Sequence, residues 1–479
     1  MAAAVNNELH AREVSDALNE VKFSGFHLRA IITAGMGFFT SAYDLTVIGT
    51  ALALAGPEWK TAWHGAGFGY YMALVGSVSL GATILGAFFF GFVADKIGRK
   101  SVYGIEAILM TVGALGSAFA GGPISMIIWR TIMGFGIGGD YPLSAVIMSE
   151  YANRENRGKM VGMVFSGQAL GFLFGPIVCL TLLAAGVSHE WTWRIALGLG
   201  ALPAAAVILL RRTMPESPRW TARVKGKAAD AAKSLSWYSQ GVANAAGTDR
   251  KIKEPLSKYA LTILGTAGAW FLVDYAYYGN TVCMPQILHA VSPKATILTT
   301  TAWNVIIFGI FAVPGYVAAF MTSDKIGRKF LQMVGFAAMA VTFAIIALVP
   351  GVATSAVPFV IIFGLSYFFT EFGPNVTTFI LAAELYPVNH RTTGHGISAG
   401  IGKFGAFLGV FLFPLIATDL HPSGGLLISC GAAVLGVILT AICIKEPAGK
   451  TLEEAGRETE FPSTPTPPAR REIEEPVGV

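Results

Sequence analysis

Long apolar runs recur along this chain with short polar loops between them, and that alternation constrains its fold more than any other feature. A helix needs about 20 largely apolar residues to cross a hydrocarbon layer roughly 30 Å thick, because each residue rises about 1.5 Å. Runs of that length begin near Leu28, Tyr70, Ser101, Ile124, Gly158 and Trp193, and again near Tyr259, Ala295, Phe330, Ala356, His395 and Gly424. A polar stretch from Arg211 to Lys258 separates the two sets. The reading is an all-α membrane protein with twelve transmembrane helices. Composition agrees: charged residues are 13% of the 479, about half of the roughly 25% usual in soluble domains. The 56 glycines suit helices that pack backbone to backbone in a bilayer.

Several function classes drop out. The net charge of +5 does not point to nucleic acid, since the basic residues sit in short loops and form no single solvated face. Cys179, Cys283, Cys430 and Cys443 stand singly without metal-ligand spacing and read as small hydrophobes. Gly134, Gly136 and Gly139 match the spacing of a dinucleotide loop, but no strand precedes them; Gly134 and Gly138 are expected to ease helix packing instead. Gly449-Lys450-Thr451 is no ATP loop, because Ile444 stands where its first glycine is required. No nucleotide, metal or other cofactor is expected, and no nucleophile, base and orienting group can be assembled into an enzyme site. The energy source is then an ion gradient.

Loops after the even-numbered helices carry Lys96, Arg99 and Lys100; Arg154, Arg157 and Lys159; a middle cluster with Arg211, Arg212, Arg219, Arg223, Lys225 and Lys227; Lys325, Arg328 and Lys329; and Arg391. The opposite loops offer Lys60, Arg194 and Lys294. Short cytoplasmic loops are enriched in Lys and Arg, so both termini are expected in the cytoplasm of a multi-pass protein of the cell membrane, plasma or bacterial inner. The first apolar run follows a polar, helix-prone segment from Asn6 to Glu20, unlike the short basic leader of a cleaved signal peptide. The expected divisions are a cytoplasmic N-terminal segment (1–27), a six-helix half (28–212), a cytoplasmic middle loop (213–258), a second six-helix half (259–445) and a disordered cytoplasmic tail (446–479) with a Pro-rich run from Phe461 to Pro468.

The halves are repeats. Asp95-Lys96-Ile97-Gly98-Arg99-Lys100 recurs as Asp324-Lys325-Ile326-Gly327-Arg328-Lys329, and Glu150 precedes Arg157 by seven positions as Glu384 precedes Arg391. At the same offset of about 230 residues, Asp44 matches Asp274, Gln168 matches Lys403, and Asp140 lies within a residue of Asn375. Polar groups inside apolar spans are costly and point to function. Parallel repeats around a central cavity, with a site near the midplane, are the plan of many secondary transporters.

These residues resemble the major facilitator superfamily. Gly91 to Lys100 is similar to its loop motif GxxxD(R/K)xGR(R/K), Arg130 to Gly134 to its RxxxG signature, and Met214-Pro215-Glu216-Ser217-Pro218-Arg219 to a segment shared by sugar and phosphate carriers. Within it, Gly138-Gly139-Asp140-Tyr141-Pro142-Leu143-Ser144-Ala145-Val146-Ile147-Met148-Ser149-Glu150 resembles the signature of the phosphate:proton symporter family. Gly35 to Phe39 with Tyr43-Asp44, Trp270 to Asp274 with Tyr278, and Glu371 to Asn375 agree with that family. The resemblance implies a phosphate site lined by Tyr141, Gln168, Trp270, Asp274, Tyr278, Asn375 and Lys403, with Asp140 on the proton route. Ser41 departs from it: eukaryotic members usually carry a further Asp there, so protons are expected to use Asp44, Glu106 or water.

The residue types suit the ligand. Trp270, Asp274 and Tyr278 share one helix face at i, i+4, i+8; Tyr141, Tyr278, Gln168, Asn375 and the Trp270 indole can donate hydrogen bonds to an oxyanion, and Lys403 supplies positive charge. Burial and a nearby anion both favour a protonated carboxyl in general, so phosphate and proton would assist each other's binding. Lys403 is expected to pair with Asp274 when no anion is bound. The alternative for that pair is a buried structural ion pair, and Trp270 and Tyr278 alone would read as packing. Asp44, Glu106 and Arg130 fit proton coupling, gating or the tethering of helices equally. Asp95, Arg99, Arg130, Glu150, Arg157, Asp324, Arg328, Glu384 and Arg391 are expected to gate the cytoplasmic side. The partners are inorganic phosphate, protons and lipid; competing readings are an organic-anion or sugar symporter of the same superfamily, and a phosphate-sensing receptor with little flux.

Overall fold

The computed structural model describes residues 13–63, 65–239, 241, 245, 251–416 and 422–458; the Pro-rich run from Phe461 to Pro468 and residues 6–12 lie outside them. All regular structure among the described residues is helical. The long helices are α1 (Gly25–Ala62), α2 (Phe68–Ile97), α3 (Arg99–Ala118), α4 (Pro123–Tyr151), α5 (Arg157–Ala184), α6 (His189–Thr213), α7 (Ala260–Val282), α8 (Ile297–Ile326), α9 (Arg328–Leu348), α10 (Ala356–Glu384), α11 (Arg391–Ile416) and α12 (Pro422–Cys443). Eleven are long and apolar enough to cross a membrane; α4 is equally long but carries Arg130, Asp140 and Glu150, all buried within the bundle. The outer surface is apolar instead: Phe119, Leu209, Val357 and Ile442 are among many large hydrophobic side chains left exposed, on faces that suit lipid and not water.

Helices α1–α6 and α7–α12 form the two halves, which meet along α2 against α11 and α5 against α8. Close approach there depends on missing side chains. A Cβ on Gly91 of α2 would lie 2.8 Å from the Thr392 carbonyl oxygen and 3.2 Å from Gly396 Cα of α11. Within the first half, a Cβ on Gly134 or Gly138 of α4 would collide with the α2 backbone, so these glycines set helix packing.

The repeat is visible in the backbone. Gly98 (φ 109°, ψ 151°) and Gly327 (φ 97°, ψ 144°) make the same left-handed turn after the second helix of each half. Behind each turn one carboxylate accepts the freed N–H groups: Glu216 takes those of Arg99 and Lys100 at 3.1 and 3.2 Å, and Glu446 those of Arg328 and Lys329 at 3.1 and 2.8 Å.

Two expectations need correction. Arg211 is not a loop charge: it is fully buried near the end of α6, because two carboxyls inside the half hold it there. The tail does not become disordered at residue 446. Residues 446–458 fold under the bundle, with a short helix, Leu452–Ala455, started by a Thr451–Glu454 capping box. Glu453 and Glu458 are buried there against Arg219, Arg223 and Arg391. Burial alone would raise the Glu453 carboxyl, but Arg219 and Arg223 hold it below the ordinary carboxylate range; for Glu458, burial outweighs Arg223 and Arg391 and the carboxyl lies above that range. The middle segment is also partly helical, at Pro218–Arg223 and Ala228–Ser239.

Candidate functional site

Helix irregularity marks the centre of the bundle. α10 widens into a π turn over Glu371–Asn375, where Gly373 leaves helical geometry (φ −114°, ψ −108°) and Pro374 has no N–H to donate. α5 breaks at Ser166, just before Gln168. On α4, consecutive side chains point about 100° apart, so Tyr141 faces the interface between the halves while Asp140 turns to α6.

All seven residues expected to line a phosphate site meet here, none more than 1% exposed. Lys403 Nζ donates to Asp274 Oδ2 and to the Tyr278 hydroxyl, both at 2.8 Å, and lies 4.5 Å from the centre of the Tyr141 ring. A chain of hydrogen bonds then crosses the bundle. The Tyr141 and Tyr278 hydroxyls are 3.3 Å apart, Gln168 Nε2 donates to Tyr141 Oη at 3.0 Å, Tyr316 Oη to Gln168 Oε1 at 3.1 Å, and Asn375 Nδ2 to Tyr316 Oη at 2.9 Å. Tyr316 of α8 closes this chain and was not anticipated; a lone Tyr in an apolar span carries no signal that separates it from packing. Trp270 Nε1, Asp274 Oδ1 and Asn375 Oδ1 have no hydrogen-bond partner of good geometry.

Aromatic layers cap the cluster on both sides. Towards the side that bears the terminal segments, Phe38, Phe165, Phe379, Trp270 and His395 pack with ring centres 4.4–6.2 Å apart. Towards the other side, Phe172, Tyr277, Phe308 and Tyr367 pack at 5.2–5.8 Å. Each layer draws rings from both halves.

The four carboxyls expected on the proton route fall in three places. Asp274 pairs with Lys403. Asp44 takes a two-pronged pair from Arg130, at 2.9 and 3.0 Å. Asp140 and Glu106 share Arg211, each at 2.8 Å; Ser144 Oγ also donates to Asp140 at 2.7 Å, and the Gly104 N–H to Glu106. Arg211 is the partner that sequence patterning missed, because its run of basic neighbours resembles a loop.

Eight of the nine residues expected to gate lie at the terminus-bearing side in two symmetry-related quartets, each of which joins the halves. Asp95 accepts the N–H groups of Thr392 and Thr393 at the start of α11, at 3.3 and 2.6 Å; Asp324 accepts those of Gly158 and Lys159 at the start of α5, at 3.0 and 2.7 Å. Arg99 pairs with Asp95 and Glu150, and Arg328 with Asp324 and Glu384. Crossing pairs complete them: Arg391 with Glu150 at 3.2 Å and Arg157 with Glu384 at 2.9 Å. Arg130 belongs to neither. Twenty residues before Glu150 on α4, it sits about 30 Å away along the helix axis and serves Asp44. Replacing Asp95 by Ala removes two charge-assisted hydrogen bonds across the halves, of about 1.5–3 kcal/mol each. The expected outcome is at least about tenfold faster labelling of a cysteine placed at Phe165 by a water-soluble maleimide from that side; an unchanged rate would show that the Asp95 quartet does not hold the halves shut.

Residues 30–458 match the family described as Sugar (and other) transporter. Among curated proteins, inorganic phosphate transporter 1-6 of Oryza sativa subsp. japonica is 35% identical, covering 95% of this chain and 97% of that protein. The probable inorganic phosphate transporter 1-6 of Arabidopsis thaliana is also 35% identical, over 93% of this chain and 96% of its own length. Among solved structures, the proton:xylose symporter XylE, of the major facilitator superfamily, bound to 6-bromo-6-deoxy-D-glucose superposes with a TM-score of 0.75 at 21% identity, covering 90% of this chain and 98% of that one. A partially occluded inward-open XylE from E. coli gives 0.72 at 20% identity, over 89% and 100%. At that identity the likeness is one of fold.

Proposed function

The chain belongs to the sugar (and other) transporter family of the major facilitator superfamily, and from that premise we propose that it imports inorganic phosphate together with protons by alternating access. The observation that carries the reading is the buried Lys403 cation, held between Asp274, Tyr278 and Tyr141 where both halves meet. Around it the Tyr141 and Tyr278 hydroxyls, the Gln168 and Asn375 amides and the Trp270 indole supply donors from several directions, and phosphate offers acceptor oxygens on every side. The two relatives named above are an inorganic phosphate transporter and a probable inorganic phosphate transporter.

An entering phosphate competes with Asp274 for Lys403. Asp274, left beside an anion without its cation, takes up a proton and donates to the ligand, so anion and proton bind as one load. The proton also offsets an electrical cost, since each negative charge entering against roughly 100 mV costs about 2.3 kcal/mol. The loaded site then passes from one side to the other as one aromatic layer opens and the second stays packed. The concentration of Lys and Arg in the loops on the terminus-bearing side supports a cytoplasmic orientation for that side, in a cell-surface membrane.

Purified protein in liposomes is expected to concentrate labelled phosphate when an inward proton gradient is imposed, with arsenate or unlabelled phosphate competing and sulfate and glucose failing to. Asp274→Asn is expected to reduce the accumulation that the gradient drives, and an unchanged accumulation would remove Asp274 from the coupling. Competition by glucose in place of phosphate would transfer the site to a sugar symporter, and uptake that ignores the proton gradient would end the coupling claim.

A further inference from the structure

Resting on that reading, we propose that Glu371 is a proton-carrying group of this transporter, in the second half of the chain and separate from the Asp274–Lys403 pair. Among the described residues, every other buried carboxylate of the spanning helices has a cation within 4 Å: Asp44 has Arg130, Asp95 has Arg99, Glu106 and Asp140 have Arg211, Glu150 has Arg99, Asp274 has Lys403 and Glu384 has Arg157. Glu371 has none, although it is fully buried. A bare carboxylate in so dry a place is too costly to persist, and a proton is the counter-charge available to it.

The surroundings provide for both forms of the carboxyl. Oε2 accepts from Asn375 Nδ2 at 2.6 Å, and Oε1 has no hydrogen bond of good geometry. The ionisable groups facing it are the Tyr277 hydroxyl and the Asp274 carboxyl from α7, the Tyr316 hydroxyl from α8 and the Tyr367 hydroxyl from its own helix. α9 meets the same π turn with Gly335 and Leu331 and brings no charge. The nearest route to the site is therefore made of hydroxyls and amides: Glu371 to Asn375, to Tyr316, to Gln168, to Tyr141. Asn375 Nδ2 donates to both Glu371 and Tyr316, so the chain does not hand the proton over; it responds to it, as the hydroxyls of Tyr316 and Tyr141, which both donate and accept, turn when the Glu371 charge is gained or lost. The same residue that binds ligand, Asn375, thus reports the Glu371 proton to the site. Its place on the π turn of α10, beside the outer layer ring Tyr277, also lets the proton state bias the way the halves part.

Glu371→Gln keeps the shape and the acceptor for Asn375 but cannot release a proton. With the membrane potential clamped at zero and one pH unit imposed, each coupled proton contributes a factor of about 10 to the phosphate ratio at equilibrium. E371Q in liposomes is expected to exchange internal for external phosphate within about twofold of wild type and to reach about tenfold less accumulation. Equal accumulation by E371Q and wild type would overturn the proposal. If E371Q exchanges no phosphate, Glu371→Asp decides: recovery of exchange and accumulation together upholds the proposal, and no recovery overturns it. Failure of the wild type itself to exchange phosphate would instead strike the phosphate reading.

Discussion

Lys403→Met is expected to destabilise the detergent-solubilised protein by about 3–5 kcal/mol and to abolish phosphate exchange. Most of that loss comes from Asp274, which remains fully buried with its cation gone. Removing both charges separates the two effects. Lys403→Met combined with Asp274→Leu leaves no uncompensated charge and is expected to melt near the wild-type temperature, since apolar replacement of a buried pair is often neutral. Exchange stays lost in the double variant, because the cation that attracts phosphate is absent. Thermal melts and exchange assays on the three proteins read this directly. A double variant that still exchanges phosphate would show that the pair only fastens α7 to α11, as a structural ion pair would.

Arg211→Met is expected to be at least as destabilising, and for a different reason. One guanidinium neutralises two buried carboxyls, Glu106 and Asp140, and its removal leaves both uncompensated. They will not suffer equally. Glu106 keeps the Gly104 N–H on both its oxygens, whereas Asp140 keeps only the Ser144 hydroxyl. Asp140→Asn is therefore expected to rescue more stability in the Arg211→Met background than Glu106→Gln does. The fully neutral triple variant also tests function, since its fold can be intact without either carboxyl. If it still concentrates phosphate on a proton gradient as the wild type does, Asp140 and Glu106 tether α3, α4 and α6 and carry no protons.

How much of this was legible beforehand depended on what a residue's neighbours in the chain reveal. The number of spans, the repeat and Gln168, Asp274, Asn375 and Lys403 of the central cluster were readable, because a charge or amide inside an apolar run stands out against hydrocarbon; Tyr141, Trp270 and Tyr278 came only with the family resemblance. Glu371 stands out by the same rule, an acid inside an apolar run, although it also belongs to the motif Glu371 to Asn375. Tyr316 gave no signal, since a tyrosine in an apolar span looks the same whether it packs or hydrogen-bonds. Arg211 misled: followed by Arg212 and a polar segment, it has the local pattern of a cytoplasmic loop, and only helix packing shows two acids waiting for it. Glu453 and Glu458 were hidden in a polar tail whose composition resembles disorder, although Glu446, at the position in the second half that Glu216 holds in the first, could have marked where order continues.

By itself the sequence determined the class of molecule, the two matched halves and the polar residues placed at the depth of the site, because burying unpaired polar groups in lipid is so costly that each one is a visible departure from the apolar background. Only the tertiary structure decided which cation answers which carboxylate: Arg130 to Asp44, Arg211 to Glu106 and Asp140, Lys403 to Asp274, and, among the described residues, none to Glu371. Charge pairing is settled within about 4 Å, across helices that lie tens to hundreds of residues apart in the chain, and no local pattern carries that distance.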